Sequence, residues 1–370
     1  MNLLNNLMET KGIEVDKKFA QKVREFILEE NILSKNRRVK QVEKKVIFPI
    51  EKISQKQLVK LKKISSSVKK VNVSFESRVV FPRNIKEALK CKLSEKEIEF
   101  APSAYDSLGD VAIIEIPKQL KGKEKLIGEA LLKVKHSINS VYMKAGAHKG
   151  VFRAEPVKFI AGKRKKQAIY KEHGAIFKIS IGEVFFSPRL ATERKRISEK
   201  IKKGEIVAAL FAGVGPFPIV FAKNSKMSKA VAIELNPRAV EDMRENVELN
   251  NVSSKVEPVL GDVKNLTKKY EGKFDRAVMP LPKGGENFLE DAIRYIKPSG
   301  GVVHYYQFVS KENPYEVPLK QIKQACANVG RKSRVLFKRK VRDFAPTIIQ
   351  VVVDFKVWKA YNSINKSFSS

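Results

Sequence analysis

The chain has little of what disulfide- or metal-built proteins depend on. Its two cysteines, Cys91 and Cys326, stand far apart with no CxxC neighbour, which argues against a disulfide framework or a structural zinc site. The four histidines, His136, His148, His173 and His304, lack ligand spacing, so no metal is expected. His304, inside VVHYYQF, reads as a packed strand residue or as one that lines a pocket. Long hydrophobic runs are also missing. The uncharged stretch over 207–222 is broken by Gly213, Gly215, Pro216 and Pro218 and is too short to span a bilayer. The opening MNLLNNLMET has neither a charged n-region nor an apolar core. These absences predict a cytoplasmic protein with no membrane partner. Acidic residues are scarce too: 40 Asp and Glu against 74 Lys and Arg leave a net charge of +34 and a pI near 10.0. That balance points to a polyanionic partner, nucleic acid before acidic membrane. With 43% hydrophobic residues, wholesale disorder is excluded.

A length of 370 residues predicts two or three domains. Val15, Phe19, Val23, Phe26 and Ile27 recur at helical spacing and predict one amphipathic helix over 11–30. A strand at 46–50 and a short helix at 54–64 follow. Residues 31–70 carry 13 basic and 2 acidic side chains, either a solvated face or a small module that grips phosphates. Residues 1–75 are expected to form this small basic domain. An α+β domain is expected over 90–198, with strands at 111–117, 140–144, 158–160, 176–181 and 183–186 and a helix at 125–138. Over 199–360, apolar runs at 206–211, 229–233, 255–260, 276–279, 302–308, 334–340 and 347–355 alternate with helix-length segments. That alternation predicts βαβ units and a mostly parallel sheet, ending in an antiparallel hairpin.

The first strand of that sheet runs into Phe211-Ala212-Gly213-Val214-Gly215-Pro216-Phe217. Glycines at a strand-to-helix turn let a ligand approach the backbone, and the helix start offers free N–H groups. Pro218 takes the third glycine position of the dinucleotide fingerprint, and no GK[ST] follows, so neither of those motifs is present. The next strands end in Glu234, placed for ribose hydroxyls, and in Gly261-Asp262, an acid level with an adenine amino group. The fourth ends in Pro280-Leu281-Pro282, at the carboxyl edge where open α/β sheets bind ligands. Either acid alone reads equally as a helix N-cap. In this order the set resembles the S-adenosylmethionine-dependent methyltransferases of the Rossmann-like class I fold.

The wording narrows the resemblance. AYDSLGDVAIIEIP (104–117), GVFRAEPVKFIAG (150–162), FFSPRLATERKRI (185–197), LFAGVGPF (210–217) and VMPLPKGGENFL (278–289) resemble the archaeal and eukaryotic tRNA (guanine(37)-N(1))-methyltransferase family. The likeness covers roughly residues 100–358, and the basic N-terminal segment is loosely similar to the small domain with which that family senses the tRNA elbow. It implies transfer of a methyl group from S-adenosylmethionine to N1 of the guanine 3′ to the anticodon; with no coiled-coil seam or long exposed apolar face to demand a dimer, a monomer is expected. Because N1 keeps its proton well above neutral pH, a base is required, and the resemblance implies Glu193. General-base help is typically worth about 10²–10⁴ in rate. Arg153 is implied to stabilise charge at guanine O6. Phe211, Gly213, Gly215, Glu234, Asp262 and Pro280 are implied to hold the cofactor, with Pro282 walling the base pocket.

Arg189, Arg194, Lys144 and Lys149 are implied RNA contacts within three basic clusters. Residues 144–171 carry nine Lys/Arg against one acid, 189–203 carry seven against two, and seven more lie in 331–342. Such clusters suit a phosphate track toward the anticodon loop. The plain alternatives are a surface ion pair of Glu193 with Arg189, Lys195 or Arg196, and a phosphate contact for Arg153. Two positions depart from the family pattern. Ala209 stands where an aspartate would face the methionine end of the cofactor, and Pro280 replaces an asparagine that would bond guanine. Aminocarboxypropyl transfer and C7 methylation of a wyosine precursor are rival reactions on this scaffold. A tRNA-binding protein without catalysis is the rival of another class.

Overall fold

A computed structural model describes residues 9–77, 82–146, 152 and 156–359, which divide into two compact units, one ending at Arg83 and the other beginning at Asn84. In the first, strands β1 (Glu9–Asp16), β2 (Lys40–Val42), β3 (Lys45–Pro49) and β4 (Lys69–Ser74) form an antiparallel sheet in the order β2-β3-β1-β4. Helices α1 (Ala20–Glu29) and α2 (Gln55–Ile64) accompany it, and Ile13, Val15 and Phe48 meet Val23, Ile27 and Leu61 in a shared core. The single helix expected over 11–30 is therefore a strand followed by a helix. Ile13 and Val15 are both buried, two residues apart as a pleat requires. Val15 also fits the helical row, which hid the change of period.

The second unit opens with α3 (Ile85–Leu89), α4 (Glu95–Glu99) and α5 (Glu124–Val134) beside a four-stranded sheet of β5 (Tyr105–Leu108), β6 (Val111–Ile114), β7 (Ser140–Lys144) and β8 (Val157–Gly162), in that order. Hairpin β9 (Gln167–Glu172) and β10 (Ala175–Ser180) follows, then α6 (Ala191–Lys200). Residues 183–186, expected to be a strand, form a turn and an irregular lead into a 3₁₀ turn at Pro188–Leu190. Gly182, at φ +79°, takes the chain out of β10 in a conformation that glycine adopts without a Cβ clash.

The main sheet has seven strands: β11 (Ile206–Leu210), β12 (Lys229–Glu234), β13 (Val256–Leu260), β14 (Arg276–Met279), β15 (Gly301–Ser310), β16 (Arg331–Ala345) and β17 (Ile348–Lys359). Their order is β13-β12-β11-β14-β15-β17-β16. All neighbours are parallel as far as β15, and β17 and β16 run antiparallel. Val207 and Ala209 pack with residues of α7 (Pro216–Asn224) and α8 (Pro237–Leu249). Ala208 and Leu210 pack on the other face, in a core shared with α9 (Val263–Tyr270), α10 (Leu289–Tyr295) and α11 (Glu316–Asn328). Burial on both faces is why these strands read as unbroken apolar runs. Among the described residues no helix is long and apolar enough to cross a membrane.

Helix α8 also serves as an edge for hairpin strand β10. Asp242 and Asn246 on α8 and Asn250 at its C-cap, spaced four apart, accept from the N–H groups of Ser180, Lys178 and Ile176 at 2.8, 2.7 and 2.9 Å. Asn246 and Asn250 return bonds to the Lys178 and Ile176 carbonyls. Four residues of helix rise about 6 Å, close to two residues of strand, so the two ladders stay in step. Asn246 Nδ2 also donates to the Val214 carbonyl at 3.1 Å, tying the hairpin to the glycine turn.

Candidate active site at the carboxyl edge

The chain leaves β11 through three left-handed residues, Phe211 (φ +55°), Gly213 (φ +57°) and Gly215 (φ +86°), before Pro216 starts α7. A Cβ at Gly215 would lie 2.9 Å from Met243 Cγ and 3.0 Å from Ile219 Cδ1, whereas one at Gly213 would meet only the Phe185 carbonyl oxygen at 3.5 Å. Gly215 is thus required for packing, and Gly213 leaves the turn open to a ligand. Proline at the first helical position suits the helix, since its missing N–H is not needed there.

Glu234, at the end of β12, accepts through Oε2 from Gly213 N (2.8 Å) and through Oε1 from Leu235 N (2.9 Å) and Asn236 N (2.8 Å). It clamps the glycine turn to the neighbouring strand end. A carboxylate offers about four acceptor positions, so one remains for a ligand hydroxyl. Asp262 caps α9, accepting from Lys264 N at 2.7 Å through Oδ1; both the capping and the ligand roles fit one carboxyl group with two oxygens. Leu235 and Leu260, the apolar neighbours of these acids, are exposed. Apolar walls next to carboxylates at adjacent strand ends fit an adenosine, and the fit rests on residues 211–215, 234–235 and 260–262. Pro280 and Pro282 follow β14 and are partly exposed. Ala209 lies wholly inside the sheet core.

Glu193 is not a surface acid. It sits in the first turn of α6, 1% exposed, and accepts from Arg196 Nη2 (2.8 Å), from the Tyr306 hydroxyl (2.5 Å) and from Arg339. Burial alone would raise its pKa, but the hydrogen bonds from Arg196 and Tyr306 outweigh it and hold the carboxyl below the usual glutamate range. The group is therefore ionised at neutral pH. Arg196 continues the network to Asp354 (2.6 Å), and Asp354 meets His304 Nδ1 at 2.7 Å. Arg276 Nη1 donates to His304 Nε2 at 2.7 Å, so the proton of the imidazole lies on Nδ1, toward Asp354. Burial lowers the His304 pKa and keeps the ring neutral. The Tyr306 ring packs edge-on against Phe217, in the first turn of α7, so this network and the glycine turn share a wall.

The other anticipated contacts divide. Arg189 is half exposed and paired with Asp106 at 2.7 Å. Lys144 lies on β7, half buried. Arg194, expected on the RNA face, is corrected: it is 1% exposed, forms a bidentate pair with Glu172 and lies against the Phe186 and Phe217 rings, so its charge does not reach a phosphate. Arg153 and Lys149 lie outside the described residues. The pairing of Glu193 with Arg196, given as the plain alternative, is present but buried; sequence reasoning missed Arg339, Tyr306 and Asp354 as members of the same group. The signal available was a charged or polar residue at mid-strand in apolar runs, Asp354 in IIQVVVDF and His304 in VVHYYQF.

Comparisons with known proteins agree along most of the chain. Three family models match: tRNA methyltransferase 5 N-terminal domain over residues 12–58, TYW2 N-terminal domain over 85–165, and TRM5/TYW2 methyltransferase domain over 168–336. The tRNA (guanine(37)-N(1))-methyltransferase Trm5b of Pyrococcus abyssi is 41% identical over 258 residues, 70% of this chain and 76% of that protein. The tRNA(Phe) (4-demethylwyosine(37)-C(7)) aminocarboxypropyltransferase of Methanocaldococcus jannaschii is 32% identical over 68% of this chain and 97% of its own length. A solved complex of aTrm5 with tRNALeu superposes with a TM-score of 0.76 at 29% identity, covering 93% of this chain and 99% of that one. On its strand order, its strand-end acids and these matches, the chain belongs to the TRM5/TYW2 methyltransferase family.

Proposed function

We propose that this chain is an S-adenosylmethionine-dependent tRNA methyltransferase that modifies N1 of the guanine 3′ to the anticodon, acting as a cytoplasmic monomer. The observation that carries the reading is Glu193: a buried, ionised carboxylate between Arg196, Arg339 and Tyr306, walled against the glycine turn. The cofactor, when bound, supplies an electrophilic methyl group on sulfur. Phe211, Gly213, Gly215, Glu234, Asp262 and Pro280 would hold it, and Pro282 would wall the guanine. Glu193 would accept the N1 proton of the guanine as that nitrogen takes up the methyl group. To accept that proton, Glu193 must give up a donor. Arg339, whose side chain is 36% exposed and whose buried Nε has no acceptor among the described residues, is the partner free to turn toward guanine O6. Arg153 would add charge there, and Arg189, Lys144 and Lys149 would contact the RNA backbone. Residues 1–75 would sense the tRNA elbow, 90–198 contact RNA and 199–360 bind the cofactor.

The test is to incubate the protein with unmodified tRNA transcript and S-adenosylmethionine, digest, and read nucleoside masses. A gain of one methyl as 1-methylguanosine, lost when that guanine is changed to adenine, is the expected result. A second reading, aminocarboxypropyl transfer to a wyosine precursor, is favoured by the match to the Methanocaldococcus jannaschii transferase. Its product mass on precursor tRNA separates the two.

A further inference from the structure

Beside the candidate base pocket, Phe308 near the end of β15 and Phe344 of β16 stack with ring centroids 4.1 Å apart and planes inclined by 30°. The position of Phe344 follows from an irregularity in the β16–β17 ladder. Asp343 pairs with Ile349 and Ala345 with Ile348, which leaves Phe344 without a partner. A bulge of this kind re-aims a side chain, and here the ring lands over Phe308 while remaining 54% exposed. Arg342 lies 5.9 Å from the Phe308 centroid and 5.7 Å from that of Phe344, and its Nε is anchored on the buried Gln350 side chain at 2.7 Å. Among the described residues no carboxylate forms an ion pair with Arg342; burial and the Arg189 charge lower its pKa, and Asp106 offsets them only in part, so the spot stays positive. The platform is joined to the pocket wall: Phe308 N donates to the Pro282 carbonyl at 2.9 Å.

An exposed aromatic face next to an unpaired guanidinium has the chemistry that binds a nucleobase and its phosphate. A guanine that is splayed out to reach a pocket leaves its neighbour without a stacking partner. We propose that Phe344, backed by Phe308 and flanked by Arg342, is the platform on which the nucleobase adjacent to the modified guanine stacks. The proposal rests on the tRNA reading of the carboxyl-edge site and names a contact within it.

The test places 2-aminopurine on either side of the target guanine in a tRNA transcript and follows its fluorescence on binding the full chain without cofactor. Wild type should quench one of the two labels. Phe344→Leu, which keeps apolar bulk but no aromatic face, should abolish that quench and weaken RNA binding by about 5- to 100-fold, and Phe344→Trp should restore both. Thermal melting confirms that each variant is folded. Unchanged quenching and affinity in Phe344→Leu overturn the platform, even if 1-methylguanosine forms normally. A quench that depends on Phe344 upholds it, even if wild type yields no 1-methylguanosine and the reaction is reassigned.

Discussion

At the scale of single residues, Glu193 carries most of the argument. If it takes the N1 proton, Glu193→Gln should lower kcat by about 10²–10⁴-fold and leave the KM for tRNA within a few-fold, measured by single-turnover methyl transfer. The substitution also acts on stability, with a sign that follows from the depressed pKa. The unfolded glutamate titrates near about 4.3, and the folded one below it. The charged form therefore stabilises the fold fully above that value, and this contribution is lost as pH falls through the folded pKa. Urea unfolding should show wild type more stable than Glu193→Gln at pH 7, with the difference shrinking below about pH 4. Position 193 was legible from the wording around it. So was Arg196, three residues on; Tyr306 and Arg339 were not, because they reach it across 113 and 146 residues of chain, and no local pattern encodes such a meeting.

At the scale of elements, the glycine turn gives the clearest comparison. Gly215 and Gly122 share nearly the same backbone angle, φ +86° and +85°, but only Gly215 has neighbours where a Cβ would fall. Gly122→Ala should cost about 1–2 kcal/mol from the left-handed backbone alone. Gly215→Ala should cost more, through Met243 and Ile219, and should weaken S-adenosylmethionine binding at least tenfold by calorimetry. The strands behind this turn were readable because burial on both faces turns them into apolar runs. Two elements were misread for identifiable reasons. The row from Val15 to Ile27 crosses a strand–helix junction without breaking helical spacing. Residues 183–186 look apolar enough for a strand, but they follow Gly182 and precede Pro188, which turn the chain on both sides.

Across the whole molecule, the charge of +34 predicts how tRNA binding responds to salt. With six to ten phosphates neutralised, affinity should drop about 10³–10⁵-fold between 50 and 200 mM salt. A filter-binding series that stays flat over this range would show that the basic surface is not the RNA track.

The contact between α8 and β10 bears on where this chain can be cut or recombined. Asp242, Asn246 and Asn250 belong to the sheet-and-helix half of the second unit, and their partners Ser180, Lys178 and Ile176 lie before residue 199. A graft that exchanged only the segment after residue 198 for a relative's would carry these three side chains away and leave the N–H groups of Ser180, Lys178 and Ile176 facing a foreign helix, each costing about 1–3 kcal/mol where it finds no acceptor. A transplantable module therefore has to begin ahead of β9, carrying the hairpin with the catalytic half.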